Sequence, residues 1–270
     1  MKKTSKIIAM ALCVILGIGC LAGCGSSGSS APAATAAPAQ EAAPAPEAAK
    51  VLKVATNVAF PPYEYYENEK AVGIDVNILQ AICDKLGYTM ELSDMEFGSI
   101  ITAVASGKVD VGFGAITITE ERAQSVHFTT SYATGIQAII VTEDSPITGV
   151  DDLKADGIKI GVQQDTTGDI YATGDFGEDH IARFNKGADA VQALLTGKCN
   201  AVIIDNSPAE TFVSQNEGLK ILPTVYAEEA YGFELSYDNE ELYNEVNGAL
   251  EELLADGTVQ SIIDTYISAD

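Results

Sequence analysis

Apolar residues recur at two different spacings between residues 51 and 267. VLKVAT at Val51–Thr56 reads as a buried strand. Val76, Leu79, Ile82, Cys83 and Leu86 then fall on one helical face, and Gly87 stops the run. Tyr88–Leu92 reads as a strand, Ile100–Ala105 as a short helix before Gly107, and Val109–Phe113 as another strand. The pattern resumes with a strand at Ile158–Val162, a helix at Ala188–Leu195 and a strand at Ala201–Ile204. Strands alternating with helices predict an α/β fold with largely parallel sheets. The second half echoes the first. LKVATN at 52–57 is matched by IKIGVQ at 158–163, and Gly107-Lys108-Val109-Asp110 by Gly197-Lys198-Cys199-Asn200. Two lobes of similar build would produce this echo. The Gly-Lys pairs are not phosphate loops, since Thr102 and Gln192 stand where the first glycine is needed, and Val109 and Cys199 where Ser or Thr must follow.

The first fifty residues follow another pattern. Lys2, Lys3 and Lys6 precede an apolar stretch, Ile7–Gly19, and Leu21-Ala22-Gly23-Cys24 resembles a bacterial lipobox. Residues 1–23 are therefore expected to be a lipoprotein signal peptide, with Cys24 lipidated. The alternative is an uncleaved span over Ile7–Gly23, whose 17 residues sit at the short limit for crossing a bilayer. Residues 24–50 are rich in Gly, Ser, Ala and Pro, lack aromatics and cannot bury a core. We expect a disordered tether there, reaching at most on the order of 80 Å at about 3.1 Å per residue.

Charge narrows the partners. The 270 residues carry a net charge of −24, and the three lysines near the start are the main cationic cluster. Without them, 12 Lys and Arg face 39 Asp and Glu. That surface repels nucleic acid, so no nucleic-acid partner is expected, and anionic lipid is disfavoured too. No Cys-His spacing suggests a metal site, neither His127 nor His180 sits in a triad, and no cofactor is expected.

Residues 107–132, GKVDVGFGAITITEERAQSVHFTTSY, carry the clearest chemistry. After the strand, Gly114 and Ala115 let another molecule approach the backbone. Thr117 offers a hydroxyl, and Thr119 is suited to cap a helix with Glu120 and Glu121 in its first turn. Arg122, one of two arginines in the chain, follows. A close-approach glycine, a hydroxyl and a guanidinium together can grip a small carboxylate. The same types could equally cap and pair on a surface. In an α/β fold, ligands lie beyond the carboxyl ends of strands. Asn57–Phe60, Gly114–Thr117, Gln163–Gly168 and Asp205 all fall at such ends.

This stretch, with FPPYEYYE, VGIDVNILQAICDKLG and QQDTTGD, closely resembles the polar amino-acid-binding proteins of ABC importers, the extracytoplasmic solute-binding proteins of family 3. The resemblance runs from about Leu52 to Ile267. It implies a periplasmic-binding-protein type II fold, a two-lobed clamshell closing on ligand about two crossings near Thr134–Gln137 and Ala227–Tyr231. Lobe 1 would be 51–135 with 229–270, and lobe 2 would be 136–228. The resemblance also implies a non-enzymatic, monomeric receptor that delivers a free amino acid to a permease, bound to the membrane only through lipid. At matching positions, Arg122 and the N–H groups of Thr117, Thr167 and Gly168 would hold the carboxylate. Asp205, the Gly114 carbonyl and the Thr117 hydroxyl would hold the ammonium. Phe60 and Phe97 would sandwich the side chain, and Ala115 and Thr166 would complete the pocket. Tyr63 is left open between pocket and packing.

Asn57 stands where several relatives carry Asp or Glu, and Gln163 where a glutamine-binding relative carries Lys. Both changes favour an uncharged polar ligand. Asp165 replaces a common Gly, and its role is open. Cys83 and Cys199 would lie in different lobes and are read as free, buried thiols. Two other readings stand beside this one: a dehydratase on the same fold, using Glu64 and Glu96 as acid or base, and a sensor acting through a membrane kinase. Cys24→Ala should release the protein from membranes or stall its processing, as membrane fractionation and the mass of the mature chain would show. Unchanged attachment with normal cleavage would refute the lipidation assignment.

Overall fold

The apolar run at 51–56 does form a strand, and what surrounds it is set by where Gly73 and Gly87 break the chain. The structure is a computed structural model and describes residues 50–267. The signal peptide, Cys24 and all of the expected tether except Lys50 lie outside the described residues. Helix α1 (Ile74–Leu86) buries Ile74, Ile78, Leu79, Ile82 and Cys83, and Gly87 ends it in the left-handed region at φ 74°, its N–H donating to the Cys83 carbonyl.

Two sheets organise the described chain. The first contains β1 (Lys50–Thr56), β4 (Tyr88–Asp94), β5 (Val111–Gly112), β6 (His127–Phe128) and β13 (Glu234–Leu235), in the order β4-β1-β5-β13-β6. A hairpin of β2 (Tyr65–Glu67) and β3 (Lys70–Val72) stands beside it. The second contains β7 (Ala133–Thr142), β8 (Ile160–Gln163), β9 (Ile181–Phe184), β10 (Ala201–Asp205), β11 (Leu219–Ile221) and β12 (Ala227–Tyr231). Its order is β11-β7-β10-β8-β9, with β12 on β7. Helices cover both faces of each sheet. On the first, α1, α6 (Glu240–Ala255) and α7 (Thr258–Tyr266) pack around Leu52, Val54, Val246 and Leu250, while α2 (Ile100–Ala105) packs Ile100 and Val104 on Ala55. On the second, α3 (Thr167–Phe176) covers Val162 and Ile203, and α4 (Gly187–Leu195) and α5 (Asn206–Gln215) cover Ile140 and Val202.

The sheets are mixed, not largely parallel. β1 runs parallel to β4 and β5, and β8 to β9 and β10. β13 is antiparallel to β5 and β6, and β7 to β10, β11 and β12. The chain leaves the first sheet along β7 and returns along β12. These two pair directly, from Ala227↔Gln137 to Tyr231↔Ala133, and β7 and the returning β13 are the strands that run against their neighbours. The result is a two-lobed clamshell.

Local differences have local causes. β5 is shorter than predicted, because Asp110 is occupied in a reciprocal pair with Lys53, accepting its N–H at 2.8 Å and donating to its carbonyl at 2.7 Å. Thr119 Oγ1 accepts the Arg122 N–H at 3.2 Å as a cap would, but only one tight turn, Arg122–Gln124, follows. Cys83 and Cys199 are free and buried, in the cores of different sheets.

Gly73 fixes the start of α1 against the loop that carries Phe60. Its φ is 134°, and a β-carbon there would lie 2.1 Å from the Tyr63 carbonyl oxygen. Asp75 N–H donates to that same carbonyl at 3.1 Å. Backbone strain and a clash with backbone each cost on the order of 1–3 kcal/mol. Gly73→Ala should therefore lower unfolding free energy by at least about 2 kcal/mol in chemical denaturation. Wild-type stability would contradict this close approach.

Candidate functional site

The carboxyl ends of β1, β5, β8 and β10 meet at one cleft. A cavity lies there, lined by residues of both lobes. β1 delivers Asn57 and Phe60, the loop after β5 delivers Gly114, Ala115 and Thr117, β8 ends in Gln163, and β10 ends in Asp205. Thr166 and Thr167 sit at the start of α3, where the Thr166 hydroxyl accepts the Asp169 N–H at 3.4 Å. Phe97 and Arg122 close the lining from the first lobe.

Among the described residues, three side-chain hydrogen bonds bridge the lobes at the cleft. Thr117 Oγ1 and Thr167 Oγ1 share a hydrogen bond of 3.2 Å. The Gln163 amide donates to Asn57 Oδ1 at 3.2 Å. Arg122 donates one terminal nitrogen to the Thr117 carbonyl at 2.9 Å and the other to the Asp165 carbonyl of the second lobe at 3.2 Å. Its guanidinium stands 5.5 Å from the centre of the Phe97 ring, within cation–π range.

Eleven of the twelve expected ligand residues line the cavity, and Gly168 does not. It sits one residue further into α3, where its missing β-carbon leaves room for the Gln137 amide, whose Oε1 would come within 2.7 Å of one. Tyr63 is packing, buried edge-on against Tyr231 at 5.6 Å between ring centres. Glu64, Gln137 and Glu229 line the cavity without having been expected there as ligand residues. Gln137 and Glu229 come from the crossing strands and bond to each other at 2.8 Å. An amide within the apolar run of β7 was the signal for Gln137; nothing in the local pattern marked Glu229.

The electrostatics are unusual. Arg122 is the only cation in this lining, facing buried Glu64, Asp205 and Glu229. Asp205 caps α5 through the Ser207 N–H at 3.2 Å, but its Oδ2 has no partner. Burial, reinforced by Glu229, pushes the Asp205 carboxyl well above its ordinary range. Burial does the same to Glu64, with Asp75 and Asp205 adding repulsion. Behind the cleft, burial raises Glu234 to about 7 despite the opposing pull of Arg122. Burial lowers the pKa of Arg122 itself, and Glu234 and Glu229 counter it. Asp75 holds the cleft loop from below: its Oδ2 accepts the Ala115 N–H at 2.7 Å and the Tyr132 hydroxyl at 2.6 Å. This pins Ala115 at a φ of 47°.

Comparison with known proteins places this geometry. The family model for bacterial extracellular solute-binding proteins, family 3, matches residues 52–269. The arginine-binding extracellular protein ArtP of Bacillus subtilis is 32% identical over 217 residues, covering 79% of this chain and 84% of that one. The arginine-, lysine-, histidine-binding protein ArtJ from Geobacillus stearothermophilus superposes with a TM-score of 0.77 at 35% identity, over 82% of this chain and 96% of its own. An ancestral arginine-binding protein bound to glutamine gives 0.76 at 36%, covering 81% and 98%.

The Asp75 environment predicts a pH effect. Burial, offset by the Ala115, Tyr132 and Gly114 hydrogen bonds, raises its pKa from 3.8 to about 6. The folded state therefore holds this proton more tightly than the unfolded state. The resulting stabilisation is full below about pH 4 and is lost as pH rises through about 6, amounting to roughly 3 kcal/mol. Between pH 4 and 7 the melting temperature of the natural chain should fall relative to that of Asp75→Asn. Parallel melting curves would show that Asp75 titrates alike folded and unfolded.

Proposed function

As the chain belongs to the bacterial extracellular solute-binding proteins of family 3, we propose that it captures a free amino acid outside the cytoplasm and delivers it to the permease of an ABC importer. The observation that carries this reading is a buried carboxylate oxygen, Asp205 Oδ2, left without a partner in the cavity that also presents the Arg122 guanidinium. An amino acid's ammonium and carboxylate match that pair. A guanidinium has five N–H donors, and the Thr117 and Asp165 carbonyls occupy two, so the rest are free for a carboxylate. The N–H groups at the start of α3 favour the same anion. Phe60 and Phe97 would flank the side chain. Lobe 1 would take residues 51–135 and 229–270, and lobe 2 residues 136–228.

The neutral Asn57 and Gln163 supported an uncharged ligand, but the wider lining supports another. Glu64 Oε2, Gln137 Oε1, Gln163 Oε1, Asp205 Oδ2 and Glu229 Oε1 are all buried without partners, and all are oxygens. An ammonium has only three donors. We therefore infer a cationic amino acid, with L-arginine as the first probe, whose guanidinium adds five donors. The names of the relatives ArtP and ArtJ point the same way. Lipid on Cys24 and the tether to Lys50 would keep the receptor near its permease while leaving it free to reorient.

Enzyme chemistry is the second reading, because Glu64 presents a buried acid to the cavity. Its proposed companion, Glu96, is exposed and does not line it. Turnover of prephenate or arogenate would decide for the enzyme. For the receptor, a thermal-shift screen against the twenty amino acids should single out cationic ones. Arg122→Ala and Asp205→Ala should each cost about 2–5 kcal/mol of affinity by calorimetry, roughly thirtyfold or more. Near-natural dissociation constants in both variants would end the proposed pose.

A further inference from the structure

Asp165 departs from the glycine expected at its position, and it touches the cleft from outside. It is exposed and lies in the second lobe, in the loop between β8 and α3. Its φ is 65°, a left-handed conformation that glycine adopts freely and aspartate tolerates. A chain of polar contacts holds it there. Its N–H donates to Asp169 Oδ2 at 3.1 Å, and Asp169 receives Arg183 Nε at 2.8 and 2.9 Å. In this conformation its carbonyl accepts from Arg122, 3.2 Å across the cleft.

The side chain of Asp165 meets the first lobe at Gly98, beside the aromatic ring that faces Arg122. A β-carbon at Gly98 would lie 2.1 Å from Asp165 Oδ2, 2.8 Å from Cγ and 3.1 Å from Cβ. Gly98 has a φ outside the left-handed region, so space, not backbone conformation, calls for a glycine there. One residue of the second lobe thus contacts the guanidinium through its carbonyl and the residue after Phe97 through its side chain.

We propose that Asp165 is a positioning residue of the carboxylate site: its carbonyl orients Arg122 from the opposite lobe, and its side chain seats in the hollow that Gly98 leaves open. The inference rests on the reading of Arg122 as the carboxylate ligand. The Arg122 donors are then fixed between one carbonyl from each lobe, Thr117 and Asp165. The carboxylate site is complete only when the lobes are together, which couples ligand capture to closure.

The test is a double-mutant cycle on the full chain. L-Arginine is titrated by calorimetry into the natural chain, Gly98→Ala, Asp165→Gly and the double variant, with each of the twenty amino acids screened on the natural chain. Gly98→Ala should weaken binding at least fivefold, and adding Asp165→Gly should restore most of that loss, because it removes the obstructing side chain. The melting temperature of free Gly98→Ala should match that of the natural chain, since the contact lies between lobes and not in a core. Equal affinity in the natural chain and Gly98→Ala, or a loss that Asp165→Gly does not restore, would overturn the proposal while leaving amino-acid binding standing. If the natural chain binds another amino acid in place of arginine, the same four proteins are titrated with that one, and the same loss and recovery are expected. If it binds none of the twenty, both the pose and the role of Asp165 fall.

Discussion

The pairing of the two crossing strands is the constraint on which the cleft depends. β7 carries the chain out of the first lobe and β12 brings it back, in register from Ala227↔Gln137 to Tyr231↔Ala133. The crossings form one antiparallel ribbon, so both links between the lobes run side by side. The ribbon also forms part of the cavity lining through Gln137 and Glu229. Gly135 lies on it, and a β-carbon there would fall 1.8 Å from the Tyr231 hydroxyl and 2.6 Å from Asp205 Oδ2. The same strand that joins the lobes leaves room for Asp205, an acid of the cavity lining.

Charge is distributed to match that geometry. Buried carboxyls are costly, and the protein keeps several of them around one guanidinium. Their pKa values rise in the free protein because burial opposes ionisation. A cationic ligand would relieve this opposition at Asp205 directly. The lining is thus a polar surface whose buried acceptors are left unpaired.

Part of this was legible along the chain. The helix from Val76 to Leu86, its stop at Gly87 and the short helix Ile100–Ala105 follow from periodicity and a glycine break, which act over a few residues. The residues at strand ends were legible too, because an α/β fold directs ligands there. Glu229 was not, since its role comes from β12 pairing with β7 some ninety positions away in sequence. Gly168 lies one step too deep for the same kind of reason: the sequence marks a helix start, but packing against Gln137 decides which N-terminal residue faces the cavity.

What the sequence determined by itself, then, was the element types, the α/β class and the residue types able to grip an amino acid, all of which depend on local conformation and side-chain chemistry. Strand direction, the company of Asp205 and the position of Asp165 over Gly98 were decided by tertiary structure. Each depends on which distant segments are brought within a few ångströms, and hydrogen bonding, desolvation and steric exclusion act over those distances through space and not along the chain.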